Sequence, residues 1–101
     1  MFKLFPTLFL SLTDEDLRKL EIHIMENLFA GDIIVGSGGA IKLRFALPGK
    51  GKSGGLRIIY TDVAHREKVY LLLCYSKSDR DDLTNEQKQQ LKPLIKMLRG
   101  E

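Results

Sequence analysis

Apolar residues recur at helical spacing near the start of the chain and predict its first long helix. Thr13 and Asp16 have the spacing of a capping box, in which each side chain bonds the other's backbone N–H, so the helix should begin there. Gly31 is the expected stop. The apolar stripe comprises Leu17, Leu20, Ile24 and Leu28, widened by Met25. Upstream, residues 1–5 fit a short edge strand equally well as the start of a helical segment with Phe5, Leu8, Phe9 and Leu12 on one side.

Alternating apolar and polar residues in the middle of the chain predict strands. A short extended piece is expected at 32–35, and strands at 41–47, 56–63 and 68–76, separated by turns at 36–39, 48–55 and 64–67. The strand at 68–76 is apolar on both faces, which places it inside the sheet rather than at an edge.

A second capping box, formed by Thr84 and Gln87, opens the last helix, which Pro93 should kink. Its apolar stripe is Leu91, Leu94, Ile95 and Leu98. The order of elements predicts one α+β domain over residues 1–101. We expect an N-terminal helix or helices, an antiparallel sheet of three to four strands and a C-terminal helix.

Composition excludes several classes of protein. The single cysteine, Cys74, rules out an internal disulfide and a multi-cysteine metal site, and its apolar surroundings predict a buried thiol. No apolar run approaches the roughly 18 residues that a membrane span needs. The apolar N-terminus is broken by Pro6 and has no small-residue cleavage site, so we expect a cytoplasmic protein without a membrane partner.

The cations are concentrated in one stretch, although the net charge is only +3. Between residues 42 and 60 there are five cations and no acid: Lys42, Arg44, Lys50, Lys52 and Arg57. If the strands at 41–47 and 56–63 pair as a hairpin, alternation puts Lys42, Arg44 and Arg57 on one side of the sheet. Cations beside a glycine-rich turn suit a polyanion backbone, which needs both charge and close approach.

Several other motifs do not meet the requirements of the sites that they resemble. Gly51-Lys52-Ser53 resembles the end of a P-loop, but Ala46 stands where that signature needs glycine, and a strand follows instead of a helix. His23 and His65 have no second ligand at metal-binding spacing and are expected to be surface residues. The acids Asp79, Asp81 and Asp82 are interpreted as a solvated loop. No metal site and no cofactor are predicted.

The pieces Gly31-Asp-Ile-Ile, Gly36-Ser-Gly-Gly and Lys42-Leu-Arg44, together with residues 48–60 and 71–77, resemble in their order the RelE/HigB toxin family, in its HigB-like branch. The resemblance implies a RelE-like fold and a ribosome-dependent mRNA endonuclease of a bacterial type II toxin–antitoxin pair. Its partners would be ribosome-bound mRNA, ribosomal RNA and a cognate antitoxin, often a helix-turn-helix protein.

Metal-free RNA cleavage needs a base, positive charge for the phosphorane and an acid for the leaving oxygen. Lys50 or Lys52 is the expected base, since crowded cations lower the pKa of a lysine. Arg57 would stabilise the transition state, and Lys77 or Tyr75 would be the acid. The residues expected to position the RNA are Lys42, Arg44 and Arg80.

Two other readings remain open. Ser53 and Ser78 stand where relatives commonly carry basic residues, which leaves room for a non-catalytic RNA- or ribosome-binding module or a degenerate toxin. A DNA-binding or purely protein-interaction domain is the third, although neither helix begins with the cations of a recognition helix.

Overall fold

A computed structural model describes residues 2–4, 13–46, 55–76 and 83–100. Along the chain the elements are β1 (Phe2–Leu4), α1 (Asp14–Glu26), β2 (Asp32–Ile33), β3 (Ile41–Phe45), β4 (Leu56–Val63), β5 (Lys68–Ser76) and α2 (Asn85–Leu98). A single 3₁₀ turn, Ala64–Arg66, joins β4 to β5. The predicted α+β class, with a helix on each side of the antiparallel strands in the sequence, is confirmed.

The strands form one sheet in the order β1-β5-β4-β3-β2. Strands β2 to β5 pair antiparallel, whereas β1 adds to β5 in parallel and forms one edge. The N-terminal segment therefore contains an edge strand, while the helical pattern proposed for Phe5 to Leu12 lies outside the described residues. Strand β5 has a neighbour on each side, as its apolar sequence predicted.

The two helices pack on opposite faces of the sheet. Leu20 and Ile24 of α1 join a core cluster with Phe45, Ile58, Tyr60, Val69 and Leu71. On the other face, α2 contributes Leu91 and Ile95 to a cluster with Ile59, Val63, Tyr70, Leu72 and Tyr75. Because each face of the sheet is covered by an apolar helix face, both sides of the inner strands must be apolar.

A β-bulge in β5 explains how its residues divide between the two clusters. Ile59 pairs with Leu73, but the next residue, Tyr60, pairs with Leu71, so that Leu72 has no Cα partner in this register. Leu72 and Leu73 consequently both pack in the α2 cluster. An extra residue of this kind breaks strict alternation, so two consecutive residues face the same side of the sheet.

The predicted helix starts are confirmed, but two details of α1 are wrong. Both capping boxes are formed, by Thr13 with Asp16 and by Thr84 with Gln87. However, α1 ends at Glu26 with Asn27 as its cap, before Gly31 is reached. Met25 is 44% exposed and does not widen the buried stripe, because it lies about 100° around the helix from Ile24. Helix α2 continues through Pro93.

Cys74, which the sequence predicted to be buried, is half-buried beside the α1 cluster, and this burial raises the pKa of its thiol from 9.0 to about 11. Since only the thiolate reacts with iodoacetamide, alkylation of the folded protein at pH 8 should be roughly 100-fold slower than in urea. The protonated thiol favours the folded state below pH 9, and this contribution should be lost as the pH rises towards 11. Mass spectrometry of the labelled protein measures both rates; equal rates would contradict the raised pKa of the half-buried thiol.

Candidate functional site

Three neighbouring strands align Arg44, Arg57 and Tyr75 in a row across the sheet. Arg44 is the Cα partner of Arg57, and Arg57 is the Cα partner of Tyr75. Side chains at paired positions point to the same face, with Cβ atoms about 4.5–5.5 Å apart. Ile59, two residues beyond Arg57, packs in the α2 cluster, so the row lies on the α2 face. Alternation along β3 adds Lys42 to that face, as the sequence predicted.

The row is not an ordinary solvated surface. Arg57 is only 6% exposed and Tyr75 only 7%, whereas Arg44 is exposed. Arginine is rarely buried to this extent, because removing a guanidinium from water is costly. Placing a second arginine directly opposite adds repulsion between like charges. Several cations beside a groove suit the binding of an anionic backbone, which needs both charge and close approach.

The row borders a groove of about 500 Å³. Its lining residues are Ala30, Gly31, Asp32, Lys42, Leu43, Arg44 and Arg57. Asp32 was not predicted as a residue of this groove, because in the sequence it precedes the basic stretch. Pairing of β2 with β3 makes it the Cα partner of Lys42. The groove therefore holds three cations and one carboxylate.

A family model described as the RelE toxin of the RelE/RelB toxin–antitoxin system matches residues 9–100. The chain belongs to the RelE toxin family. A toxin of this family has a cognate antitoxin, and its members are typically mRNA endonucleases that inhibit translation. The family expected from the sequence is thereby confirmed, while the HigB-like branch stays a prediction.

The wall of the toxin's groove depends on a glycine that the sequence had assigned to another role. A Cβ on Gly31 would lie 2.6 Å from the carbonyl oxygen of Lys42 and 2.7 Å from Cγ2 of Ile41. Gly31 thus allows the chain after α1 to lie directly on β3. Tyr60 fixes the same segment, because its hydroxyl donates to the carbonyl oxygen of Leu28 over 2.8 Å. Burial, and secondarily the charge of Asp62, raises the pKa of Tyr60, which keeps this donor protonated.

His23 supports the toxin's β3 from the opposite face. It was expected at the surface but is half-buried, and its Nε2 donates to the carbonyl oxygen of Arg44 over 2.8 Å. The imidazole also lies 5.3 Å from the ring of Phe45. His23 therefore fixes the backbone that carries Arg44 without facing the groove. Its exposed counterpart, His65, donates to the carbonyl oxygen of Arg99 over 3.1 Å and so ties the 3₁₀ turn to the end of α2.

Four of the predicted site residues lie outside the described residues: Lys50, Lys52, Lys77 and Arg80. The described residues that flank them in the chain do lie near the row. Phe45 pairs with Leu56, one residue beyond the Arg44–Arg57 pair, and Leu56 pairs with Ser76, the last residue of β5. Strands β3 and β5 therefore both end at the end of the sheet that carries Arg57, just before segments 47–54 and 77–82 of the toxin.

Within the described ranges, no group of three or more His, Cys, Asp or Glu side chains could hold a metal ion. In the same part of the toxin, no helix is both long and apolar enough to cross a membrane.

Proposed function

We propose that this protein is a ribosome-dependent mRNA endonuclease that stops translation, of the HigB-like branch, and that its active site is the groove beside Arg57. The RelE family supports the reaction class. The observation that carries the proposal is the cross-strand row, in which a buried arginine lies between an exposed arginine and a buried tyrosine. Its partners would be ribosome-bound mRNA, ribosomal RNA and a helix-turn-helix antitoxin, and it would act in the cytoplasm.

In the proposed reaction, the 2′-oxygen of one nucleotide attacks the adjacent phosphorus and the bond to the 5′-oxygen breaks. The products are a 2′,3′-cyclic phosphate and a free 5′-hydroxyl. Lys50 or Lys52 takes the proton from the 2′-hydroxyl, and Lys77 or Tyr75 gives a proton to the leaving oxygen. The net reaction consumes no oxidant, no metal and no second substrate.

Arg57 would bind the phosphate that reacts. A guanidinium presents paired donors that match two non-bridging phosphate oxygens, and its partly dehydrated position strengthens that contact. Tyr75 is the Cα partner of Arg57 on β5, so in this proposal its phenol would lie beside the same phosphate. Lys42, Arg44 and Arg80 would hold the neighbouring phosphates and so align the mRNA for in-line attack.

The test is to incubate the purified protein with a defined mRNA, either free or on programmed ribosomes, and to map the ends by primer extension. We expect cleavage only with ribosomes and a cyclic phosphate at the new 3′ end. Equal cleavage of free mRNA would overturn ribosome dependence. Salt-sensitive binding to ribosomes without any product would instead identify a non-catalytic RNA-binding module or a degenerate toxin.

A further inference from the structure

A second cationic surface lies on α2, outside the groove. Lys92, Lys96 and Arg99 follow one another on a single side of the C-terminal half of the helix. Together with Gly38 they line a shallow cavity of about 230 Å³. Lys92 and Lys96 are exposed, and Arg99 is half-buried. We call these three cations the α2 ridge.

The sequence around the ridge carries no acid. Residues 87–100 include four cations, Lys88, Lys92, Lys96 and Arg99, and no Asp or Glu. Helix α1 shows what a merely solubilising surface looks like, since its acids and cations are interspersed. The helix dipole favours cations only in the last turn, so it does not account for Lys92.

The turn between β2 and β3 places glycine backbone, without side chains, beside Lys92 and Arg99. Gly38 and Gly39 both have positive φ angles, 83° and 122°. A Cβ on Gly38 would lie 3.4 Å from Cγ of Lys92, and a Cβ on Gly39 would collide with the guanidinium of Arg99. Thr61 holds the turn in place, because its hydroxyl donates to the carbonyl oxygen of Gly39 over 3.0 Å. Charge combined with missing side chains suits an approaching phosphate backbone.

The ridge and the groove lie at opposite ends of one hairpin. Strand β3 carries Lys42 and Arg44 towards one end, and the turn with Gly38 forms the other. Arg44 lies four positions after Ala40, which corresponds to about 13 Å along a strand. Helix α2 also covers the sheet face to which Arg57 belongs. One RNA molecule could therefore contact both cationic surfaces.

We propose that the α2 ridge binds the phosphate backbone of RNA that flanks the segment in the groove. This proposal rests on the proposed function only in taking RNA as the ligand. The ridge adds affinity without contributing to the bond that breaks, because it lies away from the Arg44–Arg57–Tyr75 row.

The test compares two double variants that each remove two exposed helical cations: Lys92→Gln/Lys96→Gln on the ridge, and Arg18→Gln/Lys19→Gln on α1, across the sheet. Binding of a fluorescent 2′-O-methyl oligoribonucleotide, which cannot be cleaved, is measured by anisotropy over a range of salt concentrations. The ridge variant should bind roughly tenfold more weakly, with a salt slope smaller by about 1.4, that is, about 0.7 for each lost phosphate contact. The α1 variant should change less than about twofold, since its cations make no phosphate contact.

If the two double variants weakened RNA binding equally, the effect would come from net charge alone, and the proposal would be overturned. Wild-type RNA binding by the ridge variant would overturn it as well, and weakened antitoxin binding in that case would identify a protein surface. Because the probe cannot be cleaved, this measurement stands apart from the ribosome assay. A protein that cleaves no mRNA can still show the ridge effect, and an active endonuclease can lack it.

Discussion

Arg57→Ala should lower mRNA cleavage on programmed ribosomes by about 100- to 1,000-fold, the loss typical when one donor to a transition-state oxyanion is removed. Arg57 is the central member of the cross-strand row, and the residue is 6% exposed. Water cannot replace the lost donors easily at such a site, so the negative charge that develops on the phosphorane would go unbalanced. Single-turnover cleavage and growth arrest after induction measure the effect.

Three further variants separate the guanidinium's role from charge and from folding. Arg57→Lys keeps the charge but loses the planar fork, so its rate should fall between those of the wild type and Arg57→Ala. Arg18→Ala removes an exposed cation on the other side of the sheet and should leave cleavage unchanged. If thermal melting shows that Arg57→Ala is unfolded, Arg57→Met restores the buried stem. A folded Arg57 variant without the guanidinium that remains fully active would place the active site elsewhere.

Gly31→Ala should destabilise the protein by about 1–3 kcal/mol, the usual cost of forcing an extra methyl group into a filled space. The added Cβ would lie 2.6 Å from a backbone oxygen of β3, which cannot rotate away as a side chain could. Either the segment after α1 or β3 must shift, and β3 carries Lys42 and Arg44. RNA binding should therefore weaken even under conditions in which the variant is fully folded.

The control for this prediction is Gly36→Asn, in the turn between β2 and β3. Nothing lies within 4 Å of a Cβ at Gly36, and asparagine tolerates its φ of 84°. Urea unfolding and RNA anisotropy on both variants give the comparison. Wild-type stability and wild-type RNA binding in Gly31→Ala would show that the close approach to β3 is not needed.

Local rules were sufficient for most of the fold. The strands at 56–63 and 68–76 and both capping boxes follow from alternation and from side chains three residues apart, which act within one element. Predictions failed where the deciding partner was distant in the chain. Gly31 looked like a helix stop, yet what requires a glycine there is the close approach of β3.

The candidate site was likewise predicted only in part from the sequence. Alternation, with the assumption that the two strands pair as a hairpin, put Lys42, Arg44 and Arg57 on one face, because the period of a strand is two whatever its neighbours are. It could not bring Asp32 into the groove, since that depends on β2 pairing with β3. Nor could it show that His23 bonds the backbone of Arg44, 21 residues away.

By itself, the sequence determined the class of the fold and the cationic residues, since periodicity, capping and charge are local properties, and its ordered motifs carried the resemblance to the family. Only the tertiary structure decided which residues share the groove and which cations are buried. Register puts Arg57 between Arg44 and Tyr75 and limits its exposure to 6%. Packing of α2 against the β2–β3 turn likewise assembles the ridge beside Gly38. Burial and cross-strand partnership depend on contacts between distant segments, which no local pattern specifies.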